Sequence, residues 1–149
     1  MSQKKLNRMI NPQIYEIYSD GGSRGNPGPG ASAFIVYKNK ELLYQKGFFL
    51  PHTTNNIAEY FAVLMAVTWL SKNFSKAEKL KILYSLDSEL VVKQLQGVYK
   101  IKNEKLKIIF VKIKKIILDS KFGITFQHIP REKNKAPDAI VNKVLDENL

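Results

Sequence analysis

The chain has 149 residues, enough for one domain with a substantial hydrophobic core. Hydrophobic residues make up 44% of it and charged residues 25%, a composition that excludes an intrinsically disordered chain. The 24 Lys and Arg against 13 Asp and Glu give a net charge of +11. This charge favours a polyanionic partner such as nucleic acid, although a compositional bias toward lysine would produce the same excess.

The first 12 residues are polar and basic and show no periodicity, which predicts a flexible tail ahead of a single domain at residues 13–149. They lack the apolar core of a signal peptide. The longest mostly apolar segment, residues 57–70, contains Glu59 and is too short to cross a bilayer. The absence of cysteine excludes disulfides and thiolate metal sites. We therefore expect a cytoplasmic protein that does not associate with membranes.

Alternation and turn signals predict the elements in chain order. Residues 13–19 form a strand that ends at Asp20, and the glycine- and proline-rich residues 21–30 form a loop. A hairpin at Asn39-Lys40 and a helix that is apolar on nearly every face come next. The segments after the first loop are strands at 31–37 and 42–50, a loop at 51–55, a helix at 56–73, a strand at 80–86, a helix at 88–96, a linker at 97–103, a helix that includes 106–117, a strand at 124–129 and a helix at 137–147.

The order of these elements, βββαβααβα, predicts the fold class. It begins with antiparallel strands and continues with strands that alternate with helices. Such an order favours an α/β domain with one mixed, five-stranded sheet and helices packed on it.

Four acidic residues lie at the ends of predicted elements, where their chemistry is informative. Glu59 has no Lys or Arg three or four residues away, so a buried carboxylate there would need a proton or a cation. Asp20 and Asp87 each follow a predicted strand, and Asp138 lies in the first turn of the last helix. Each has a structural alternative: Glu59 facing solvent near a helix N-terminus, Asp20 in an Asp-Gly turn, Asp87 as a helix cap, and Asp138 stabilised by the helix dipole.

Taken together, these acids predict a metal site. If two strand ends and two helix starts meet at one edge of the sheet, four carboxylates converge in an otherwise basic chain. Oxygen ligands without Cys or His favour Mg²⁺ or Mn²⁺. Two such ions can support phosphodiester hydrolysis, and a basic surface would hold the nucleic acid backbone.

Four segments resemble, in order, the four signatures of type 1 ribonuclease H. They are residues 19–28 (Ser-Asp-Gly-Gly-Ser-Arg-Gly-Asn-Pro-Gly), 54–60 (Thr-Asn-Asn-Ile-Ala-Glu-Tyr), 86–91 (Leu-Asp-Ser-Glu-Leu-Val) and 130–138, which runs from Pro-Arg-Glu through Asn134 to Asp138. The resemblance covers about residues 13–145, and each segment contains one of the four acids. It implies the ribonuclease H-like fold.

The resemblance also implies the chemistry. Asp20, Glu59, Asp87 and Asp138 would bind two Mg²⁺ ions, with Mn²⁺ as an alternative. The RNA strand of an RNA–DNA hybrid would be cut by in-line attack of water, leaving 3′-hydroxyl and 5′-phosphate ends. The whole chain would then be an endoribonuclease that acts as a monomer.

Four further residues match family positions that contact the hybrid. Asn26, Asn55 and Asn56 match positions in the minor groove, where amides can recognise the ribose 2′-hydroxyl. Thr54 and Asn56 match positions that hold a DNA-strand phosphate. Structural roles are compatible alternatives: Asn26 in the Gly-Pro turn, and Thr54 or Asn55 as a helix cap.

The chain departs from many relatives in two places. The basic insertion that grips the hybrid is replaced by residues 97–103, so the chain resembles a compact subgroup and its grip on the hybrid should be weaker. The proton-shuttling histidine of the last loop has no clear counterpart, because His128 is predicted to lie in a strand. Arg131 or Glu132 is the expected loop participant instead.

Two other functions fit parts of the pattern. A catalytically inactive module could use the same fold to bind hybrid or double-stranded RNA, although four intact acids would then only repel phosphates. A recombinase- or resolvase-like nuclease could share the acid cluster, but the asparagines that match 2′-hydroxyl contacts disfavour it.

Overall fold

The computed structural model describes residues 1–10 and 13–149, without the side chains of residues 7–10 and of Ala77. Five strands form one sheet in the order β3-β2-β1-β4-β5. The strands are β1 Tyr15–Ser23, β2 Gly28–Lys38, β3 Glu41–Thr53, β4 Lys81–Leu86 and β5 Gly123–His128. The helices are α1 Gln3–Ile10, α2 Asn55–Asn73, α3 Glu89–Leu95, α4 Glu104–Ser120 and α5 Lys135–Asn148.

The pairing of the strands confirms the predicted mixed sheet. β1, β2 and β3 are antiparallel neighbours, whereas β4 runs parallel to β1 and to β5. The predicted hairpin joins β2 to β3 at Asn39 and Lys40, whose φ angles of 51° and 67° lie in the left-handed region that hairpin turns require. The sheet therefore has its antiparallel half first in the chain and its parallel half second.

Helices cover the two faces of the sheet unequally. The larger core packs α2, α3 and α4 on one face and includes the fully buried Phe34, Tyr60 and Tyr84. Two buried tyrosine hydroxyls are satisfied, since Tyr60 donates to Gln94 Oε1 at 2.6 Å and Tyr84 donates to Ser19 Oγ at 2.8 Å. The smaller core packs α5 on the other face against Ala31 and Ala33 of β2.

Three predicted boundaries were wrong, and one of them, the loop at residues 51–55, is mostly absent because β3 continues through Thr53 and α2 begins at Asn55. The other two differ more. The first is the glycine-rich loop, because β1 continues through Ser23 and β2 begins at Gly28, so only residues 24–27 separate the strands. Gly21 and Gly22 pair with Ser32 and Ala31, respectively, in the antiparallel ladder. Glycine weakens a strand but does not exclude it, and here it permits close approach of another backbone.

The second is the N-terminal segment, which was expected to lack structure and contains α1. Ser2 begins this helix, since its Oγ accepts from Lys5 N at 3.1 Å and its carbonyl from Leu6 N at 3.0 Å. Serine is a preferred helix-capping residue, and this signal was present in the sequence. The flexibility of residues 1–12 as a tail stays a prediction, and residues 11 and 12 lie outside the described residues.

No helix in the described parts of the chain is both long enough and apolar enough to cross a membrane.

Candidate active site

Asp20 lies within β1 rather than in a turn. It pairs with Ala33 of β2, and its side chain shares the sheet face on which α5 packs. Only 8% of Asp20 is exposed. The Asp-Gly turn considered as an alternative is therefore wrong, because the strand continues past it.

Gly21 brings the second acid toward the first. A Cβ atom at Gly21 would overlap the backbone of Ala58 and Glu59 in α2, so glycine is what lets α2 lie directly on β1. The Ser32 hydroxyl donates to the Ala58 carbonyl at 2.6 Å and holds the same turn of α2 against β2. These contacts place Glu59 beside Asp20, with only 7% of Glu59 exposed, so the solvent-facing alternative for Glu59 is wrong.

Substituting Gly21 with alanine should therefore destabilise the fold and separate two of the acids. We expect a loss of about 1–3 kcal/mol in the free energy of unfolding, as for other overpacked sites, together with a fall in activity. Gly22→Ala is the matched control, since the nearest atom to its Cβ would be Asn55 Oδ1 at an ordinary 3.8 Å. Urea denaturation of both variants tests this, and equal stability of the two would contradict it.

Asp87 follows directly after β4, at the end of a strand that is parallel to β1. Ser88, not Asp87, caps α3, because Ser88 Oγ accepts from Val91 N at 3.3 Å. The capping alternative for Asp87 is therefore wrong, and its carboxylate is available to the site.

Asn134 connects Asp87 to β1. This residue is fully buried, and its side-chain nitrogen donates to the Ser19 carbonyl at 2.9 Å and to Asp87 Oδ2 at 3.2 Å. Ser19 immediately precedes Asp20. The Asn134 amide therefore holds the backbone next to Asp20 and the carboxylate of Asp87 in fixed positions. The sequence contained this asparagine within the fourth motif, but no pattern indicated that its side chain would point inward instead of capping α5.

Removing that amide should loosen Asp87. For Asn134→Ala we expect activity to fall about 10–100-fold, the usual range for residues that orient metal ligands, with a higher metal concentration at half-maximal activity. Asn148→Ala removes an asparagine at the other end of α5, whose side-chain nitrogen donates to the Val144 carbonyl at 2.7 Å, and serves as the control. An unchanged metal requirement in Asn134→Ala would contradict the positioning role.

The four acids meet at one cleft. Single carboxylate oxygens of Asp20, Glu59 and Asp87 lie within 4.8 Å of one another. Asp138, in the first turn of α5, completes the group, and its carboxyl is close enough to share a hydrogen bond with Asp20. The cleft has a volume of about 430 Å³ and is also lined by Arg24, Ser88, Asn142 and Arg131, among others.

Burial and the neighbouring negative charges make Asp20 and Glu59 hard to ionise. Burial, followed by the charges of Asp87 and Asp138, raises the pKa of Asp20 to about 7. The pKa of Glu59 is raised well above its ordinary value by burial and by the charges of Asp20 and Asp87, while Arg131 opposes the shift. The group therefore favours protons or bound cations over four free negative charges.

The donor set fits divalent metal ions. Carboxylate oxygens are the ligands that Mg²⁺ and Mn²⁺ prefer, and three of them lie close enough together to share an ion. Glu59 Oε2 is buried and has no hydrogen-bond partner among the described residues, which leaves one oxygen of the group without compensation. A cation at this position would satisfy it.

The residues expected to contact substrate lie beside this cleft, at the start of α2 and in the adjacent loop. Thr54 caps α2, since its Oγ1 accepts from Ile57 N at 3.2 Å. Asn26 Oδ1 accepts from Asn55 N at 3.0 Å, and Asn55 Oδ1 accepts from Ser23 N at 2.9 Å. Asn56 is exposed in the first turn. Asn26 therefore joins the loop to α2 rather than only closing its own turn.

The two candidate residues of the last loop, Arg131 and Glu132, differ in their position relative to the cleft. Arg131 lines the cleft, whereas Glu132 is exposed and is not among the residues that line it. His128 is a sheet residue as predicted, at the end of β5, and its Nε2 lies 3.2 Å from the Asp87 carbonyl oxygen. That oxygen can only accept, so the contact engages the ring when Nε2 carries a proton.

The chain is similar in sequence to known ribonucleases H. Residues 18–144 match the model of a family described as reverse transcriptase-like. The chain is 33% identical over 133 residues to ribonuclease HI of Halobacterium salinarum, and 31% identical over 133 residues to a bifunctional protein of Mycobacterium tuberculosis. In each case the match covers 87% of this chain. It spans 63% of the Halobacterium protein and 35% of the Mycobacterium protein.

Solved structures agree in fold along nearly their whole length. The crystal structure of LC11 ribonuclease H1 in complex with an RNA/DNA hybrid has a TM-score of 0.86 at 39% identity, with 90% of this chain and 98% of that chain covered. Ribonuclease H1 of Halobacterium salinarum has a TM-score of 0.81 at 30% identity, with coverage of 90% and 98%.

Proposed function

Since the chain belongs to the type 1 ribonuclease H family, we propose that it hydrolyses the RNA strand of RNA–DNA hybrids and leaves 3′-hydroxyl and 5′-phosphate ends. The observation that carries this proposal is the meeting of four carboxylates in one cleft of a chain whose net charge is +11. An acidic metal site on a basic protein suits a nuclease, because the positive surface attracts the backbone and the acids hold the catalytic ions. The hybrid bound to LC11 ribonuclease H1, at 39% identity, supports the choice of substrate.

We propose Mg²⁺ as the cofactor, with two ions held by Asp20, Glu59, Asp87 and Asp138, and Mn²⁺ as a possible replacement. Bound divalent ions would supply a more acidic water and offset negative charge on the reacting phosphate. The chain itself fixes the four carboxylates: the close contact at Gly21 sets Glu59 beside Asp20, and the Asn134 amide holds Asp87. Arg131 adds a positive charge whose field reaches Glu59.

Discrimination of RNA from DNA is assigned to the asparagines beside the cleft. The bonds of Asn26 and Asn55 within the chain engage the carbonyl oxygen of each amide. The NH₂ groups are then the part that we expect to meet the ribose 2′-hydroxyl, which can accept as well as donate. Asn56 and Thr54 are proposed to hold a DNA-strand phosphate, a role that is compatible with the cap made by Thr54.

We propose that Arg131 is the residue of the last loop that takes part in the reaction. Glu132 is the less favourable candidate, because it does not line the cleft. His128 is not assigned a proton-transfer role, so His128→Ala should leave the cleavage rate within about tenfold, or about 1.4 kcal/mol of barrier. His52→Ala, which alters the other histidine of the chain, is the control. A fall of a thousandfold in His128→Ala alone would show that this ring does take part in the chemistry.

The experiment that tests the proposed function compares three duplexes side by side: RNA–DNA hybrid, duplex RNA and duplex DNA, with each strand labelled in turn and Mg²⁺ present. We expect cleavage of the RNA strand of the hybrid only. Binding of hybrid without any cleavage would favour the inactive module, and cleavage of duplex DNA would favour the resolvase-like alternative. End-group analysis of the product then checks the predicted 5′-phosphate.

We also propose that the chain acts as a monomer in the cytoplasm. A cysteine-free sequence is compatible with a reducing compartment. Sedimentation with and without hybrid would test the monomer.

A further inference from the structure

Arg24 has a defined place at the edge of the acidic cleft that the proposed function does not use. It is one of the residues that line the cleft together with the four acids. Its backbone N–H donates to the Pro29 carbonyl at 2.8 Å, which fixes the start of the side chain. Its guanidinium donates to Asp146 Oδ1 of α5 at 2.6 Å, which fixes the end. Arg24 is thus held at each end beside the cleft.

The cleft has few positive charges that could bind phosphate, and Arg24 supplies one of them. Among the described residues that line it, the cations are Arg24 and Arg131, set against four carboxylates. A nucleic acid lying across this cleft brings further negative charges, because phosphates flank the one that is cut. Arginine suits a phosphate well, since its planar fork presents several N–H donors and one of them can be used elsewhere.

The ion pair with Asp146 is poorly suited to a purely structural role. The side chains of Arg24 and Asp146 are 43% and 67% exposed, and exposed pairs contribute at most about 1 kcal/mol to folding. The same exposure leaves the guanidinium accessible to a ligand. A single bond to Asp146 occupies one of its donors and orients the rest of the fork.

We propose that Arg24 forms a subsite for a backbone phosphate next to the one being cleaved, with Asp146 as the positioning residue that orients its guanidinium. This inference rests on the proposed function for the identity of the ligand, a nucleic acid duplex. The subsite would add a positively charged contact on the α5 side of the cleft. It is separate from the contacts proposed for the asparagines at the start of α2.

The test measures hybrid affinity without metal, and cleavage kinetics with Mg²⁺, at several salt concentrations. Affinity falls as salt rises, and each lost phosphate contact should reduce the steepness of log affinity against log salt by about one. We expect that decrease in Arg24→Ala, together with a roughly tenfold rise in KM and a kcat within about twofold. Arg24→Lys should restore the slope, because it keeps the charge, while KM recovers only in part.

Two further variants separate binding from structure. Lys143→Ala also removes one positive charge, but from a residue of α5 that does not line the cleft and that pairs with Glu147 at 4.0 Å. This variant should leave the slope unchanged. Asp146→Asn should keep the slope while raising KM, because the charge of Arg24 stays but its orientation is lost.

The outcomes distinguish this inference from the proposed function. A wild-type protein that cleaves hybrid, with an unchanged salt slope in Arg24→Ala, would overturn the subsite alone. A wild-type protein that binds but does not cleave hybrid, with a lowered slope in Arg24→Ala, would overturn the proposed activity and leave the subsite standing. A slope that falls equally in Arg24→Ala and Lys143→Ala would show only general charge attraction and would also overturn the subsite.

Discussion

Replacing Asp20 with asparagine is expected to lower the rate of hybrid cleavage by about 1,000-fold or more, equivalent to about 4 kcal/mol of barrier. Asp20 lies at the centre of the acid group, since it is close to Glu59, Asp87 and Asp138. An amide has nearly the same shape but lacks the charge that holds a divalent ion. Hybrid affinity measured without metal should be equal or greater, because one source of repulsion toward phosphate is gone.

Asp119→Asn provides the matched control for this substitution. Asp119 is an exposed aspartate near the end of α4 and does not line the cleft, so the same change in charge there should leave cleavage unaffected. Asp87→Asn should behave like Asp20→Asn. Substantial activity in either cleft variant would refute the assignment of these carboxylates.

Removal of divalent metal is expected to have an equally large effect on activity and an additional effect on stability. A chelator should abolish cleavage, because the carboxylates alone offer no group able to activate water and offset phosphate charge together. Ions that bind only the folded state also stabilise it, by about 2.7 kcal/mol at 100 times their Kd. Thermal unfolding in the presence and absence of Mg²⁺ measures this difference.

The effect on stability should depend on pH in a direction set by Asp20. Its pKa is about 7 in the folded protein against an ordinary value of 3.8, so between these values the folded state binds more protons than the unfolded state. The stability of the metal-free protein should therefore fall as the pH rises from about 4 to about 7, by something on the order of 3 kcal/mol. Stabilisation by Mg²⁺ should be greatest above pH 7, where Asp20 is ionised in the metal-free protein and its charge can be offset by a cation.

Asp20→Asn gives the control for the pH effect as well. Without that titrating group, the metal-free variant should lose less stability over the same pH range and gain less from Mg²⁺. Parallel pH profiles for wild type and variant, with and without metal, would contradict this explanation of the pH dependence.

The elements with strong periodicity could be predicted from the sequence, and those that depend on tertiary contact could not. Helix α2 was predicted because its apolar residues occur on nearly every face, and eight of its residues are indeed buried. The extension of β1 through Gly21 and Gly22 was missed, because glycine signals a turn locally and only the contact with Ala58 explains its presence in a strand. The same contact explains why Glu59 is buried, a question that the sequence left open.

The acids of the site could be identified from their places at element ends, whereas the residues that hold them could not. The sequence predicted a strand end at Asp20, which instead lies within β1, while Asp87 follows β4 as predicted; the parallel pairing of β1 with β4 brings the two acids together. Asn134 and Arg24 lie within the motifs, but their partners are 47 and 122 residues away in the chain, at Asp87 and Asp146. Long-range hydrogen bonds of this kind leave no periodic signal in one sequence.

The measurement that tests the central claim most directly is a count of Mn²⁺ bound to the protein by electron paramagnetic resonance. It would use a hybrid whose RNA strand carries a 2′-deoxy substitution at the cleavage position, so that the substrate stays intact. We predict two Mn²⁺ ions per chain for the wild type and a loss of binding in Asp87→Asn, with Asp119→Asn unchanged. Wild-type protein that binds no Mn²⁺, or Asp87→Asn protein that binds as many ions as wild type, would contradict a metal site built from these acids.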